Sequence, residues 1–558
     1  MRVYQALADA IVAHGVDTVF GLLGDANMFL VTDLIERHGV RFVAARNENA
    51  AVMMADGYAR VTGRCAVATV TQGPGLAVAG AALTIARAAR TPLVLIAGDT
   101  PPADPGHVQH FDQQPFALAT AGSFVPVTTP ATAGRDVARA FRHARELPGP
   151  VVLDVPMDLQ DEAVPPGTPP AVPYVPPRPA QPPAPHPEAV AALADRLRAA
   201  RRPVLLAGRG AESAAPAIRE LADRSGALLA TTLMAAGLFA GHPYHLGVAG
   251  GLARPLTRRV FAEADLVVTF GAGWNRWTAD HGALAGTATV VAVDTDPAAP
   301  GAGWPVDDVV LGDADTTARA VTALLAPEVV AGVPCSSESG NRGPLLPRPQ
   351  WRTAELAAAL AAADPFAGLE MRCTPDRIDP REFVRVCAGR LPVERTTVVG
   401  VGHFGGWPNL LLDSAATDRS LVAPWEFGSI GVGLPFAVGA AVGRPDRPVV
   451  AFEGDGSLLT GLGELDTLAR TGAAVLLVVL DDAAYGAEVR KLRPRGVDPA
   501  PARFPDRDLA AVARALGLTA YTVTDTAGAM AALDAALPLT GPVLLHVRVT
   551  PDVVQDRF

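Results

Sequence analysis

Short apolar runs alternate with longer segments of helical spacing along most of the chain. The segment ALADAIVAHGV near the start has the spacing of an amphipathic helix. The strand candidates are CAVATVTQG and TPLVLIAGD in the first third, RPVLLAGRG, ADLVVTFGAG and ATVVAVDTDP in the centre, and TTVVGVG, RPVVAFEGDG, AAVLLVVLDD and GPVLLHVRV towards the end. Strands that alternate with helices predict an α/β protein built from doubly wound parallel sheets.

Two stretches interrupt this alternation. Between Pro165 and Pro187 there are 12 prolines, which no helix or central strand tolerates. A second stretch, 334–350, is rich in Ser, Gly and Pro. The sequence therefore predicts three domains, at 1–165, 188–330 and 376–550, joined by linkers at 166–187 and 331–375.

Composition narrows the class of protein. The chain has 558 residues and a net charge of −10, which argues against nucleic-acid partners and anionic membranes. Its apolar runs are much shorter than the roughly 20 residues that span a bilayer. The four cysteines are scattered without metal-ligand spacing, and no leader pattern opens the chain. We therefore expect a cytoplasmic protein.

Carboxylates follow two apolar runs of the last third. Pro448–Glu453 has the pattern of a buried strand, and Gly454-Asp455-Gly456-Ser457 then turns the chain into a helix with leucines at helical spacing. Ala473–Leu480 is the next strand and ends in Asp481-Asp482, so Asp482 follows Asp455 by 27 residues. Glycines and a helix N-terminus suit a phosphate, and carboxylates suit Mg²⁺. Each aspartate alone is more typical of a solvated turn, whereas the whole pattern predicts a metal ion that carries a diphosphate.

The same residues resemble the thiamin-diphosphate motif, in which GDG is followed after some 25 residues by Asn-Asn. This chain has Asp481-Asp482 at the position of the two amides. The resemblance implies Asp455, Asp482 and the Ala484 carbonyl as the protein ligands of Mg²⁺. It also implies thiamin diphosphate as the cofactor.

A glutamate of the first domain fits the role of cofactor activator. RFVAARNENAAVMMADGYARVTG (41–63) places Glu48 between a strand and a helix, at the point where this family has its glutamate. The resemblance implies that Glu48 shares a proton with the aminopyrimidine ring of the cofactor. Surroundings of Ala, Val and Met would favour the protonated carboxyl. Taken alone, Glu48 would be read as a helix N-terminal residue that complements the macrodipole.

Further segments resemble the superfamily of acetolactate synthase, pyruvate decarboxylase and benzoylformate decarboxylase. They are VFGLLGDANMFL (19–30), TQGPGLAVAGAALTIA (71–86), VGVGHFGGWP (399–408) and FGSIGVGLPFAVGAA (427–441). The resemblance implies pyrimidine-binding, central Rossmann-like and diphosphate-binding domains, in that order. Relatives place the outer two on different subunits, so a homodimer or homotetramer is expected, with active sites between subunits. The cofactor contacts implied in this way are Gly73, Gly402, His403, Gly428, Ser429, Ile430, Gly454, Gly456, Ser457, Tyr485 and Gly486.

The reaction depends on side chains above the reactive carbon of the cofactor. Asp25 and Glu488 occupy positions at which pyruvate decarboxylases have acids, whereas Gln109 and His110 lie in a loop resembling that of acetolactate synthases. His107 and His110 are separated, unlike the adjacent pair of the decarboxylase branch, and a polar loop explains both equally well. We expect decarboxylation of a 2-oxo acid followed by transfer to a carbonyl acceptor. The alternatives are simple decarboxylation and a cofactor-binding paralogue without turnover.

Some relatives hold FAD in the central domain, and this cofactor is compatible with the present chain but not favoured. The glycine loops at 205–213 and 270–280 do not form GxGxxG, although Asp294 ends a strand where a ribose contact would lie. A GxGxxG pattern does occur at 400–405, but Pro408 follows and no helix is expected there. We interpret that match as accidental.

Overall fold

The structure is a computed structural model that describes residues 1–147, 149–169, 183–284, 286–325, 351–414 and 421–553. Residues 170–182 of the first expected linker and 331–350 of the second lie outside the described residues, as do 326–330 before the second. Within the second linker, a helix at Ala354–Ala361 places Leu356 and Leu360 against the core of the central domain. The domain boundaries themselves remain predictions.

The first sheet has six parallel strands in the order β2-β1-β3-β4-β6-β5. Its strands are β1 (Thr18–Gly21), β2 (Arg41–Ala44), β3 (Ala66–Val70), β4 (Leu93–Asp99), β5 (Phe124–Pro126) and β6 (Pro150–Pro156). Its helices are α1 (Val3–Ala13), α2 (Met28–His38), α3 (Glu48–Thr62), α4 (Pro74–Val78), α5 (Gly80–Ala88), α6 (Gln113–Thr120), α7 (Ala133–Glu146) and α8 (Met157–Gln160).

The second sheet also has six parallel strands, in the order β12-β11-β10-β7-β8-β9. Its strands are β7 (Pro203–Ala207), β8 (Leu228–Thr231), β9 (His245–Val248), β10 (Leu266–Phe270), β11 (Thr289–Asp294) and β12 (Asp308–Leu311). The helices of this part are α9 (Pro187–Ala199), α10 (Ala215–Ser225), α11 (Pro255–Phe261), α12 (Ala314–Leu325) and α13 (Ala354–Ala361).

The third sheet has the order β14-β13-β15-β16-β18-β17. Its strands are β13 (Thr396–Val399), β14 (Leu421–Val422), β15 (Val449–Gly454), β16 (Val475–Asp481), β17 (Thr519–Val523) and β18 (Val543–Arg548). Its helices are α14 (Pro380–Ala388), α15 (Gly406–Leu411), α16 (Gly433–Gly443), α17 (Asp455–Thr460), α18 (Glu464–Thr471), α19 (Gly486–Leu492), α20 (Leu509–Ala515) and α21 (Thr526–Ala536). Short 3₁₀ turns lie at Arg209–Ala214, Leu233–Ala235, Gly250–Leu252, Asp280–Gly282, His403–Gly405, Arg493–Arg495 and Ala500–Ala502.

These three parallel sheets confirm the predicted α/β fold. The central sheet has the strand order of a Rossmann domain, in which the first strand lies beside the fourth. The first and third sheets share one strand order, so the outer domains repeat a single topology. Every strand candidate from the hydrophobic pattern forms a strand, because both faces of these sheets are covered by helices. Among the described residues, no helix is long and apolar enough to cross a membrane.

One expected helix is divided. The leucine spacing after Asp455 predicts a continuous helix, whereas the chain forms α17 and α18 with a break at 461–463. Gly461 lies in this break, and a Cβ there would be 2.8 Å from the Gly431 carbonyl oxygen. The break therefore allows the loop that carries Ile430 to approach the end of α17 closely.

The outer domains pack directly on each other through α3 and α16. A Cβ on Gly57 would overlap the Phe436 carbonyl oxygen, and one on Gly439 would overlap the Met54 carbonyl oxygen. At the same contact, Arg60, whose side chain is 6% exposed, pairs with Asp56 in α3 and, at 2.6 Å, with Glu426 of the last domain. The two helix backbones therefore touch, and the outer domains share one apolar core.

Replacing Gly439 by alanine is expected to destabilise the protein by about 2 kcal/mol, because the added methyl group would push against a helix backbone that has no room to move. Urea unfolding of the purified protein measures this as a lower midpoint. Gly389→Ala is the matched control, since Gly389 has φ −83° and its nearest neighbouring atom would lie 3.8 Å from the new Cβ. Equal midpoints for both variants would contradict the close helix contact.

Candidate active site

Three carboxylates meet at the carboxyl edge of the third sheet. β15 and β16 are parallel neighbours, with Gly454 paired to Leu480, so Asp455 and the 481–482 pair leave the sheet side by side. All three aspartates are less than a tenth exposed. The sequence prediction that two strand tips bring these carboxylates together is thereby confirmed geometrically.

The three aspartates differ in their electrostatic surroundings. Burial, followed by the negative charges of Asp482 and Asp481, raises the pKa of Asp455 to about 8. Asp481 behaves differently: burial favours its protonated form, but hydrogen bonds from His546 (2.6 Å) and the Ala483 amide (2.8 Å) lower its pKa overall. A divalent cation between Asp455 and Asp482 would relieve their repulsion, so the residues present fit Mg²⁺.

The expected metal set contains only two carboxylates and a backbone carbonyl. Among the described residues, no group of three or more His, Cys, Asp or Glu side chains has the geometry to hold a metal ion. The remaining ligands would have to be phosphate and water oxygens, as is usual for Mg²⁺.

The loop after Asp482 is tightly packed. A Cβ on Gly486 would overlap the Asp482 carboxylate and lie 2.7 Å from His403 Nε2, and His403 Nε2 is itself 3.3 Å from Asp482. A Cβ on Gly456 would lie 2.7 Å from the Tyr485 ring. Ala483 has φ +55°, a left-handed conformation that bends the chain towards the carboxylates. The structure thus gathers six residues implied by the motif: His403, Asp455, Gly456, Asp482, Tyr485 and Gly486.

A second loop faces the same edge. Ser457 Oγ accepts a hydrogen bond from the Gly431 amide (2.8 Å), which ties the 428–431 turn to α17. Gly428 has φ +74° and Ile430 is 40% exposed, as expected for residues that would contact a bound molecule. The nearby 400–405 segment corrects one prediction, since α15 does begin at Gly406 despite Pro408. Proline is tolerated there because first-turn amides need no helical partner.

Glu48 is the first residue of α3, directly after β2, as predicted. Its side chain is only half-buried, because the buried stretch of this helix begins at Ala50. The expectation of a desolvated carboxyl is therefore not met within one chain. The preceding residues dock on the last domain, where the Arg46 amide donates to Glu464 (2.9 Å).

The other candidates of the first domain lie at the carboxyl edge of its sheet. Gly73 has φ +60°, and a Cβ there would overlap the Gln109 carbonyl oxygen, so these two residues are in contact. The Gln109 side chain also accepts from Gln72 (2.7 Å). His110 Nδ1 is 2.9 Å from Thr100 Oγ1, and Asp25 is exposed on the loop after β1. These residues form one polar rim around the strand ends.

Several supporting residues were missed by the sequence interpretation. Gln113 accepts from the Gly73 amide (3.1 Å) and donates to Asp154 (2.7 Å) and to the Gly98 carbonyl (2.9 Å), which fixes the Gly73 turn. Asn27 is buried and holds the loop of Asp25 through the Gly24 amide (2.8 Å). Of these residues, only Asp154 could have been noticed in the sequence, because it is a charged residue inside an apolar strand.

Asp154 predicts a pH dependence of stability. Burial, followed by the charge of Asp99, raises its pKa to about 7 in the folded chain, while the Gln113 hydrogen bond opposes this rise. Between the ordinary Asp value and about pH 7 the folded state therefore binds more protons than the unfolded state. Stability from this group falls as pH rises, by about 2 kcal/mol between pH 5 and pH 8.

Asp154→Asn should remove this loss, so the variant becomes more stable than the wild type at pH 8 but not at pH 5. Urea unfolding at both pH values measures the difference. The exposed Asp161 of the same domain provides the control substitution, Asp161→Asn. Parallel pH profiles for wild type and Asp154→Asn would refute the assignment.

Comparison with known proteins covers the whole chain. Three family patterns match: the N-terminal TPP binding domain of thiamine pyrophosphate enzymes at residues 1–119, the central domain at 190–321 and the C-terminal TPP binding domain at 400–547. Among solved structures, a provisionally assigned thiamin diphosphate-dependent enzyme from Mycobacterium smegmatis superposes with a TM-score of 0.77 at 24% identity, covering 99% of this chain and 100% of that one. At that identity the superposition supports the fold.

Similar curated proteins carry several names. The acetolactate synthase large subunit of Parasynechococcus marenigrum is 31% identical over 98% of this chain and 87% of its own length. A probable 2-ketoarginine decarboxylase of Pseudomonas aeruginosa is 30% identical over 98% and 93%. A sulfoacetaldehyde acetyltransferase of Rhodobacter capsulatus is 29% identical over 88% and 83%. The chain belongs to the thiamine pyrophosphate enzyme family.

Proposed function

We propose that this chain is an acetolactate-synthase-like carboligase, which decarboxylates a 2-oxo acid and transfers the acyl carbanion to a carbonyl acceptor. The observation that carries the proposal is the pair Asp455 and Asp482 at adjacent strand ends, within a chain that matches the family over all three domains. Thiamin diphosphate and Mg²⁺ are the proposed cofactors. We do not propose FAD as a cofactor, since no glycine loop of the central domain has the dinucleotide-binding pattern GxGxxG.

When bound, thiamin diphosphate supplies the carbanion stabilisation that loss of CO₂ from a 2-oxo acid requires. Asp455, Asp482 and the Ala484 carbonyl would hold Mg²⁺, while Gly454, Gly456 and Ser457 offer backbone and hydroxyl groups to phosphate oxygens. His403 contacts Asp482 and would orient that carboxylate. The remaining proposed cofactor contacts are Gly73, Gly402, Gly428, Ser429, Ile430, Tyr485 and Gly486.

Glu48 is proposed to hold a proton beside the pyrimidine ring. Within the described part of this single chain, no hydrogen bond or ion pair joins Glu48 to the 454–457 loop. A second copy of the chain would supply the missing half of the site. Large apolar side chains are exposed in the segments of both half-sites, which supports this arrangement because exposed apolar surface is typical of interfaces. They are Leu23, Phe29, Val78, Val108, Phe427 and Ile430. We therefore propose a homodimer or homotetramer, acting in the cytoplasm.

Simple decarboxylation is the second candidate. Asp25 and Glu488 are both exposed carboxylates at the strand-end edges of their domains and could return a proton to the carbanion. Gln109 and His110 belong to the rim around Gly73 and would instead contact an acceptor. The positions of these four side chains leave both outcomes chemically feasible.

A product analysis separates the two reactions. Purified protein with thiamin diphosphate and Mg²⁺ is incubated with a panel of 2-oxo acids, with and without an aldehyde or a second oxo acid, and CO₂ and product masses are recorded. The proposal expects products that contain the acyl group joined to the acceptor. Release of free aldehyde at the same rate in both conditions would favour the decarboxylase, and no CO₂ from any acid would favour a paralogue without turnover.

A further inference from the structure

A cleft of about 440 Å³ lies beside the loop that follows Asp482. Its walls come from α19, from residues 503–504 and from the chain after β18. The loop that carries the proposed metal ligands Asp482 and Ala484 forms one wall of the cleft, whereas none of the residues 454–457 of the turn proposed to bind the diphosphate lines it. A volume of this size suits a small-molecule ligand.

Positive charge dominates the lining. Among the described residues around the cleft there are four arginines, Arg377, Arg490, Arg493 and Arg503, but only two carboxylates, Asp482 and Asp552. Asp552 already pairs with Arg493 at 2.8 Å. If Asp482 binds a metal ion, its charge is neutralised as well. The cleft then carries an excess of guanidinium groups in a confined space.

One of the four arginines is held in place by the backbone. Arg377 donates to the backbone carbonyls of Asp481 (3.1 Å) and Val549 (3.2 Å), which aligns its guanidinium between two strand ends. Just outside the lining, a single carboxylate, Asp506, pairs with both Arg377 and Arg548. Asp506 and Arg548 cancel each other, so these two neighbouring groups leave the excess positive charge of the lining unchanged.

Backbone hydrogen bonds also join the Arg503 wall of the cleft to the loop of residues 482–485, which carries two of the proposed metal ligands. The Tyr485 amide donates to Ala502 (2.8 Å) and the Phe504 amide donates to Ala483 (2.8 Å), so Arg503 lies directly opposite Ala484. A ligand held by Arg503 would contact the segment that carries the proposed metal ligands.

From this geometry we propose that the cleft binds a small oxyanion, namely a phosphate, sulfonate or carboxylate group, between Arg503 and the arginines of α19 and the turn after it. The planar guanidinium group offers paired donors that match the oxygens of such anions. The anion is either a free ion or the distal group of a substrate, and only the second case rests on the proposed function.

The test is a calorimetric titration of the full-length protein with inorganic phosphate at low ionic strength, with and without saturating thiamin diphosphate and Mg²⁺. The proposal expects saturable binding in both conditions and an affinity lowered about tenfold by Arg503→Gln, the loss expected for one charge-assisted contact. Arg507→Gln is the matched control, because Arg507 is an exposed arginine of the same segment outside the cleft. It should bind phosphate as the wild type does.

Three outcomes would overturn the proposal: no phosphate binding to the wild type, binding that disappears when the cofactor is saturating, or equal losses in Arg503→Gln and Arg507→Gln. A second arm compares 2-oxoglutarate with 2-oxopentanoate, which differ in the terminal carboxylate. A higher KM for 2-oxoglutarate alone in Arg503→Gln assigns the anion to the substrate, whereas weaker phosphate binding with both KM values unchanged assigns a free oxyanion. The titration decides the site even if neither acid is turned over, so failure of the proposed function is detected separately.

Discussion

Replacement of Glu48 by glutamine is expected to lower turnover of a 2-oxo acid at least about 100-fold, the scale of a lost proton-transfer group. Glutamine keeps the size of the side chain and its place at the start of α3, but it cannot share a proton with a ring nitrogen. Because Glu48 is half-buried at a helix end and outside the packed core, the variant should fold normally.

The measurement compares steady-state turnover with binding of thiamin diphosphate. Cofactor affinity should change much less than turnover, since Glu48 is proposed to act on the pyrimidine ring and the diphosphate is held elsewhere. Glu36→Gln, on the exposed face of the neighbouring helix α2, is the control and should retain full turnover. Unchanged turnover in Glu48→Gln would remove Glu48 from the mechanism.

The fold could be predicted from the sequence because each sheet is covered on both faces. Central strands such as β4 and β16 are continuous apolar runs that end at Gly or Asp, and such runs are visible without any structure. The division of α17 from α18 could not be predicted, because the leucine spacing continues across Gly461. The break instead allows a close contact with Gly431, thirty residues earlier in the chain. The local hydrophobic pattern thus predicts which helices and strands form, whereas contacts with residues distant in the sequence decide where some of them end.

The candidate site was also only partly predictable from the sequence. Asp455, Asp482 and Glu48 lie in contiguous motifs and were found from the sequence. Contacts that hold other parts of the site join residues distant in the sequence: Gln113, which fixes the Gly73 turn, meets Asp154 across 41 positions, and His546 meets Asp481 across 65. Only the strand order, which sets β18 beside β16, brings the second pair together. No spacing rule within one sequence contains that information.

Removal of the Asp455 carboxylate should have the largest effect on cofactor binding. In Asp455→Ala we expect the affinity for thiamin diphosphate in the presence of Mg²⁺ to fall about 100-fold or more, because one of the two carboxylates proposed to hold the cation is lost. Thermal unfolding provides a readout independent of activity: cofactor plus Mg²⁺ should raise the unfolding temperature of the wild type but not of the variant. Asp534→Ala, with its 65% exposed carboxylate on the same domain, should behave as the wild type.

Asp482→Asn restores the asparagine that the family motif has at this position of the proposed metal site. The amide oxygen can still ligate Mg²⁺, so cofactor binding should persist, with a weaker dependence on the metal because one negative charge is gone. His403 Nε2 lies 3.3 Å from the Asp482 carboxylate, and an asparagine of the same shape would keep that contact. If Asp455→Ala bound the cofactor as tightly as the wild type, or if Asp482→Asn lost binding completely while Asp455→Ala kept it, the cation would have to lie elsewhere. In that case the two strand tips would be a structural pair of carboxylates, and the charge repulsion between them would have no functional explanation.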